Sequence, residues 1–114
     1  MHRSLMSAAA LAGLLVAVPA QAHNYPTTAL ADYVFGCMAA NGQTPEVLEQ
    51  CSCSIDVIAS IIPFKEYEAG ETVLRMRQVR GGGEKMALFQ DTTMAKDAVD
   101  RLRRAQIEAE LRCF

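Results

Sequence analysis

Residues 44–63 read TPEVLEQCSCSIDVIASIIP. Leu48, Cys51, Ile55, Ile58 and Ile62 recur at a 3-4-3-4 spacing, which predicts a helix with one apolar, core-facing side. Thr44 suits the N-cap, Pro45 the first helical position and Glu46 the positive helix end. Pro63 stops the run. Cys51 lies within the apolar face. At about 100° per residue Cys53 points roughly 200° away from it. The two thiols therefore diverge, and each needs a partner elsewhere in the chain.

Working outward, Ala29–Ala40 predicts a first helix with Leu30, Tyr33, Val34, Cys37 and Met38 as its apolar stripe. Asn41-Gly42 ends it, Gly42 being suited to the left-handed position after a helix. So short a link implies an antiparallel hairpin. The hairpin brings Cys37 within about one turn of Cys51. That favours Cys37–Cys51 and leaves Cys53 for Cys113. The rival pairing, Cys37–Cys53 with Cys51–Cys113, stays open, because spacing does not fix connectivity.

Beyond Pro63, Phe64–Val79 predicts a third helix with Phe64, Tyr67, Val73, Leu74 and Met76 as apolar contacts. Gly70 weakens it by about 1 kcal/mol relative to Ala. Residues 80–84, RGGGE, form a break. They lack the spacing and the Lys-Ser or Lys-Thr of a phosphate loop, so they read as a flexible connection. Lys85–Gln90 adds a short helical turn. Asp91, Thr92 and Thr93 supply caps for a last helix, Met94–Arg112, in which Ala95, Val99, Leu102, Ala109 and Cys113 share a stripe. Arg101, Arg103, Arg104, Glu108 and Glu110 fall on its solvated side. Met38, Met76, Met86 and Met94 read as core fillers; the sharper alternative is a Met-lined groove for copper or a partner.

The N-terminus decides the compartment. Arg3, the apolar run AAALAGLLVAV and Ala20-Gln21-Ala22 make a secretory signal peptide over residues 1–22. The apolar run is well short of the ~20 residues a membrane span needs. Cleavage removes Arg3 and no acidic residue, taking the net charge from −2 to −3. That balance offers no basic field for nucleic acid. Residues 23–28 read as a flexible lead and 29–114 as one helical domain. Four cysteines in a small exported chain read first as two disulfides. The expected fold is all-α: a small, disulfide-stapled bundle of about four helices whose first two form an antiparallel hairpin. The expected location is periplasmic or secreted, with no membrane contact after cleavage.

Reactive chemistry is sparse. Cys51 and Cys53 have an alternative reading as thiolates for Cu(I) or redox exchange, but a redox pair ordinarily appears as Cys-x-x-Cys. His23 becomes the first residue after cleavage and offers an amine and an imidazole to copper, although no second histidine survives to complete such a site. The competing reading is a frayed terminus. His23 is also the sole histidine available as a base, so a nucleophilic triad is not expected. Glu66, Glu68 and Glu71 read as surface carboxylates with ordinary acidity. The expectation is no catalytic residue, no cofactor and no enzyme activity.

The stretch YVFGCMAANGQTPEVLEQCSCSIDVIASIIPFKEY, residues 33–67, resembles the Cys…Cys-x-Cys helical hairpin of small exported proteobacterial proteins, few of which have an assigned role. The ending RRAQIEAELRCF is similar to members associated with periplasmic quinoprotein alcohol-oxidation systems. That resemblance implies an accessory role beside a dehydrogenase or its cytochrome. It carries no catalytic residue, and the chain has no Cys-x-x-Cys-His for c-type haem. The expected function is a non-enzymatic accessory protein that binds another periplasmic protein. The alternative is copper or thiol handling through Cys51, Cys53 and His23.

Overall fold

The structure, a computed structural model, describes residues 23–78 and 92–114 together with Gly13 and Gly83. Four helices run through the described residues: α1 (Thr27–Asn41), α2 (Pro45–Ile61), α3 (Phe64–Gln78) and α4 (Thr93–Cys113). The chain is all-α and stapled by two disulfides, Cys37–Cys51 and Cys53–Cys113. The signal peptide apart from Gly13, Val79 at the predicted end of the third helix, the break at 80–82 and 84, the turn at 85–90 with Met86, and Asp91 lie outside the described residues.

Local chemistry sets the helix ends. The Thr44 hydroxyl accepts from the Val47 amide at 3.2 Å, with Pro45 in the first turn. Thr92 caps α4 in the same way, accepting from the Ala95 amide at 3.1 Å. Both satisfy a donor that a bare helix start leaves orphaned. Gly42 closes α1, its amide donating to the Met38 carbonyl at 2.8 Å with φ +114° and ψ 157°. The positive φ favours glycine, although this ψ is not that of a left-handed helix. Ile62 is extended ahead of Pro63, as the proline ring demands.

Helix α2 packs between α1 and α4, and α4 also carries α3. Ile58 and Leu102 are fully buried at the centre with Cys51, each apolar side chain contributing about 1.5–3 kcal/mol. The α4 face is built on small residues: Ala95, Ala98, Val99, Leu102, Ala105 and Ala109 are all buried. Ala98 and Ala105 extend the predicted stripe. Gly70 of α3 serves this approach too. A Cβ there would lie 2.8 Å from Leu102 Cβ, 2.9 Å from its Cδ2 and 3.0 Å from the Ala98 carbonyl oxygen. What reads in sequence as a weak point in α3 is the contact that seats α3 on α4.

The structure corrects several expectations. The lead at 23–28 is not loose. Tyr25 is buried, its hydroxyl donates to the Ile62 carbonyl at 2.8 Å, and Thr27 and Thr28 begin α1. Burial and the nearby Glu66 push the Tyr25 phenol up to about 12, because its anion would lose solvation. Its ring meets Phe64 at 5.2 Å and Tyr67 at 5.3 Å. Leu48, expected in the core, is 45% exposed, and Ser54 is buried on that face instead. Leu48 lines an open groove between α1 and α2 and is not enclosed by the core. Met94, expected as a core filler, is 81% exposed; it lies in the first turn of α4, about 80° round the helix from Leu102 and off the buried face.

Candidate functional site

The disulfides place all four predicted cysteines. Cys51 is fully buried and bonds to Cys37 across the hairpin; Cys53, half-buried on the other side of α2, bonds to Cys113. This is the pairing that the hairpin register favours, and it leaves no free cysteine. The alternative use of Cys51 and Cys53 as a thiolate pair is thereby overturned: a sulfur held in a disulfide is neither a thiolate ligand nor an exchange nucleophile. The exposed His23 stands edge-on to Tyr25, ring centroids 5.4 Å apart. Its Nδ1 accepts from the Tyr25 amide at 3.4 Å. Among the described residues no three His, Cys, Asp or Glu side chains converge as a metal set.

Two surfaces flank α1. On one side a cleft of about 400 Å³ runs between α1 and α3, lined in part by Asp32, Phe64, Tyr67, Glu71 and Arg75. Arg75 Nη2 meets Asp32 Oδ2 at 2.7 Å across it, both side chains well exposed. Glu71 behind that bridge is half-buried, which corrects its reading as a fully solvated carboxylate. Its pKa is raised, chiefly by desolvation and also by Asp32, against the lowering pull of Arg75 at 3.8 Å. Tyr33 and Tyr67 are raised as well, first by burial and then in part by Glu71; a hydrogen bond with Ser54 holds Tyr33 back. These phenols keep their protons at any physiological pH. The Ser54 hydroxyl donates to the Gln50 carbonyl of its own helix at 3.0 Å.

On the other side lies a groove of about 440 Å³ between α1 and α2. Its walls are almost wholly apolar: Leu30, Val34, Met38 and Leu48, with Ile55 behind and Phe35 at the rim. Phe35 is 74% exposed. Asp56, on the α2 side, is the one charged residue lining it.

Helix α1 itself is unusual. Between Ala29 and Ala40 its one charged residue is Asp32, and apolar side chains point all round the axis. A helix apolar on every side is ordinarily enclosed, yet no residue of α1 is buried. The sequence reading missed Phe35, which falls off the Leu30–Met38 stripe. Apolar residues continuing round α1 outside that stripe were the available signal.

No protein-family model, curated protein or solved structure matches this chain. No single described helix is long and apolar enough to cross a membrane. The two disulfides indicate an oxidising compartment.

Proposed function

We propose that this chain is a non-enzymatic accessory protein of the periplasm that binds another exported protein through the α1–α2 groove. The observation that carries the reading is α1: an apolar helix with no buried residue, beside an apolar groove with Phe35 at its rim. The occupant that suits these walls is an apolar face of a helix from the partner. Such a helix seats its side chains at i, i+3, i+4 and i+7 in a groove of this kind. The near absence of charge in the groove argues against a basic or acidic tail. An exposed aromatic beside a pocket is also what a binding hot spot requires.

The test is site-specific photo-crosslinking in the exporting cell from position 35 or 38, with Lys65 on α3 as the control position. The expected outcome is one partner captured from 35 and 38 and not from 65. Purified, that partner binds at least about tenfold more weakly to Phe35→Ser or Leu48→Glu. Equal capture from all three positions, or binding indifferent to both substitutions, refutes the reading. Intact mass after alkylation without reductant checks the staples in parallel. A mature chain starting at His23 with no added alkyl group is expected.

A further inference from the structure

Helix α4 carries a second apolar feature, away from the α1–α2 groove and ending at Phe114, which with Glu110 edges a small cleft beside Tyr33 and Cys37. Ile107 is 57% exposed, Leu111 77% and Phe114 53%. They follow one another at i, i+4 and i+7, so they form a single stripe. The core of α4 faces elsewhere, through Leu102, Ala105 and Ala109. Arg103, Arg104 and Glu110 border the stripe, all exposed. None of the three enters an ion pair among the described residues; Glu108 and Arg112 pair with each other at 2.8 Å.

The charges around Ile107 are arranged so that the face complements itself. Arg103 and Glu110 are seven residues apart, hence within about 20° of one another around the helix and on one flank of the stripe. Arg104 and Leu111 are related in the same way on the other flank. When the helix is turned end over end about the level of Ile107, Arg103 and Glu110 exchange heights to within one residue's rise, as do Arg104 and Leu111. A two-fold contact requires this: a patch on which each residue finds its complement at the mirrored position.

We propose that two copies of this chain associate through α4, antiparallel, with Ile107 packed on Ile107 at the two-fold axis. Each Arg103 pairs with Glu110 of the other copy. Each Arg104 lays its aliphatic stem over the other copy's Leu111 and keeps its guanidinium in solvent. Charge pattern selects a second copy over an unrelated helix. A chain carrying net negative charge repels itself elsewhere, whereas here equal and opposite charges meet twice. Only about three turns of helix take part, so the contact falls at the small, transient end of protein interfaces. The dimer therefore forms at high concentration and dissociates on dilution.

Sedimentation velocity of the oxidised exported protein over a wide concentration range tests this. The expected result is a weight-average mass rising reversibly toward twice the monomer mass, less readily at high salt. Arg103→Glu and Glu110→Arg each replace two attractions by two repulsions and weaken association by about tenfold. The double exchange, Arg103→Glu with Glu110→Arg, restores it. Ile107→Asp abolishes it. All these positions are exposed, and unchanged unfolding midpoints verify that each variant is folded. A monomer at every concentration overturns the inference, as does a dimer that ignores Ile107→Asp and both reversals. Loss of the dimer on Phe35→Ser would move the contact to the α1–α2 groove and overturn it equally. The groove and α4 tests use different residues, so failure of one leaves the other standing.

Discussion

Gly70 and Gly36 are both helical glycines, and replacing each by alanine should move stability in opposite directions. In an unhindered helix interior, Gly→Ala gains about 1 kcal/mol. At Gly36 a new Cβ meets nothing within 4 Å, so Gly36→Ala should realise most of that gain. At Gly70 the new Cβ lands 2.8 Å from Leu102 Cβ and 3.0 Å from the Ala98 carbonyl oxygen. Neither is the free end of a flexible side chain. Leu102 is fully buried, and the carbonyl belongs to the α4 backbone. Relief therefore requires α3 and α4 to separate. Overpacking of this kind costs about 1–3 kcal/mol, and contact with backbone places it near the top of that range. Subtracting the propensity gain leaves Gly70→Ala about 2 kcal/mol less stable. For a domain of this size that is a melting temperature about 8–16 °C lower. Urea and thermal unfolding of the oxidised protein, followed by far-ultraviolet circular dichroism, read both variants. A Gly70→Ala protein as stable as the parent would refute the close α3–α4 approach, whatever Gly36→Ala does.

Other outcomes follow from the same contacts. Replacing Cys53 and Cys113 together by Ser should cost about 4 kcal/mol on the chain-entropy model and replacing Cys37 and Cys51 about 3 kcal/mol, because the bridges span 60 and 14 residues; denaturant midpoints under non-reducing conditions would rank them. Tyr25→Phe removes the buried donor to Ile62 and should cost about 1–3 kcal/mol, a loss visible as a lower unfolding midpoint. Glu71 has a raised folded pKa, so the native state holds its proton more tightly than the unfolded chain. Stability from this group is then full below the unfolded carboxylate pKa and falls as pH rises through the folded one. Glu71→Gln should accordingly raise the midpoint at neutral pH and lose that advantage at pH below the ordinary glutamate range, as parallel melts at the two pH values would reveal.

The helices were legible because they rest on local periodicity; the staples were legible as two disulfides, with the pairing favoured by the hairpin register and its rival left open. The angle between Cys51 and Cys53 follows from helix geometry alone, and the observed bridges obey it. Caps at Thr44 and Thr92 are equally local. What stayed hidden depended on which helix sits beside which. Periodicity marks Leu48 as one more member of the α2 stripe and cannot show that α1 leaves an open groove beside it. It marks Gly70 as a defect and cannot show that Leu102 fills the missing Cβ position. Glu71 looks solvated on its own helix; its desolvation comes from α1 across the cleft. Tyr25 precedes any periodic segment, so nothing local announces its hydrogen bond to Ile62, 37 residues away.

The arrangement explains how α1 can remain so apolar and yet so little buried. A helix is ordinarily held by the area it buries, and for α1 that area is modest. The Cys37–Cys51 bridge holds it to α2 near its C-terminal end, and the Asp32–Arg75 contact ties its middle to α3. The exposed ion pair contributes little; the bridge is worth about 3 kcal/mol on the chain-entropy model. A covalent staple therefore releases the apolar side chains of α1 from the task of holding the fold. Phe35, Met38 and the groove-facing sides of Leu30 and Val34, which also pack in part on the core, are then available to a partner without the helix coming loose when no partner is bound. Removing the bridge by Cys37→Ser with Cys51→Ser should speed amide hydrogen exchange in α1 far more than in α4. The same variant should weaken partner binding even under conditions where the rest of the fold is intact, because the groove then has to be ordered at the moment of binding. Uniform acceleration of exchange in all four helices would instead mean that α1 is integral to the core, and the division of labour between staple and surface would fall.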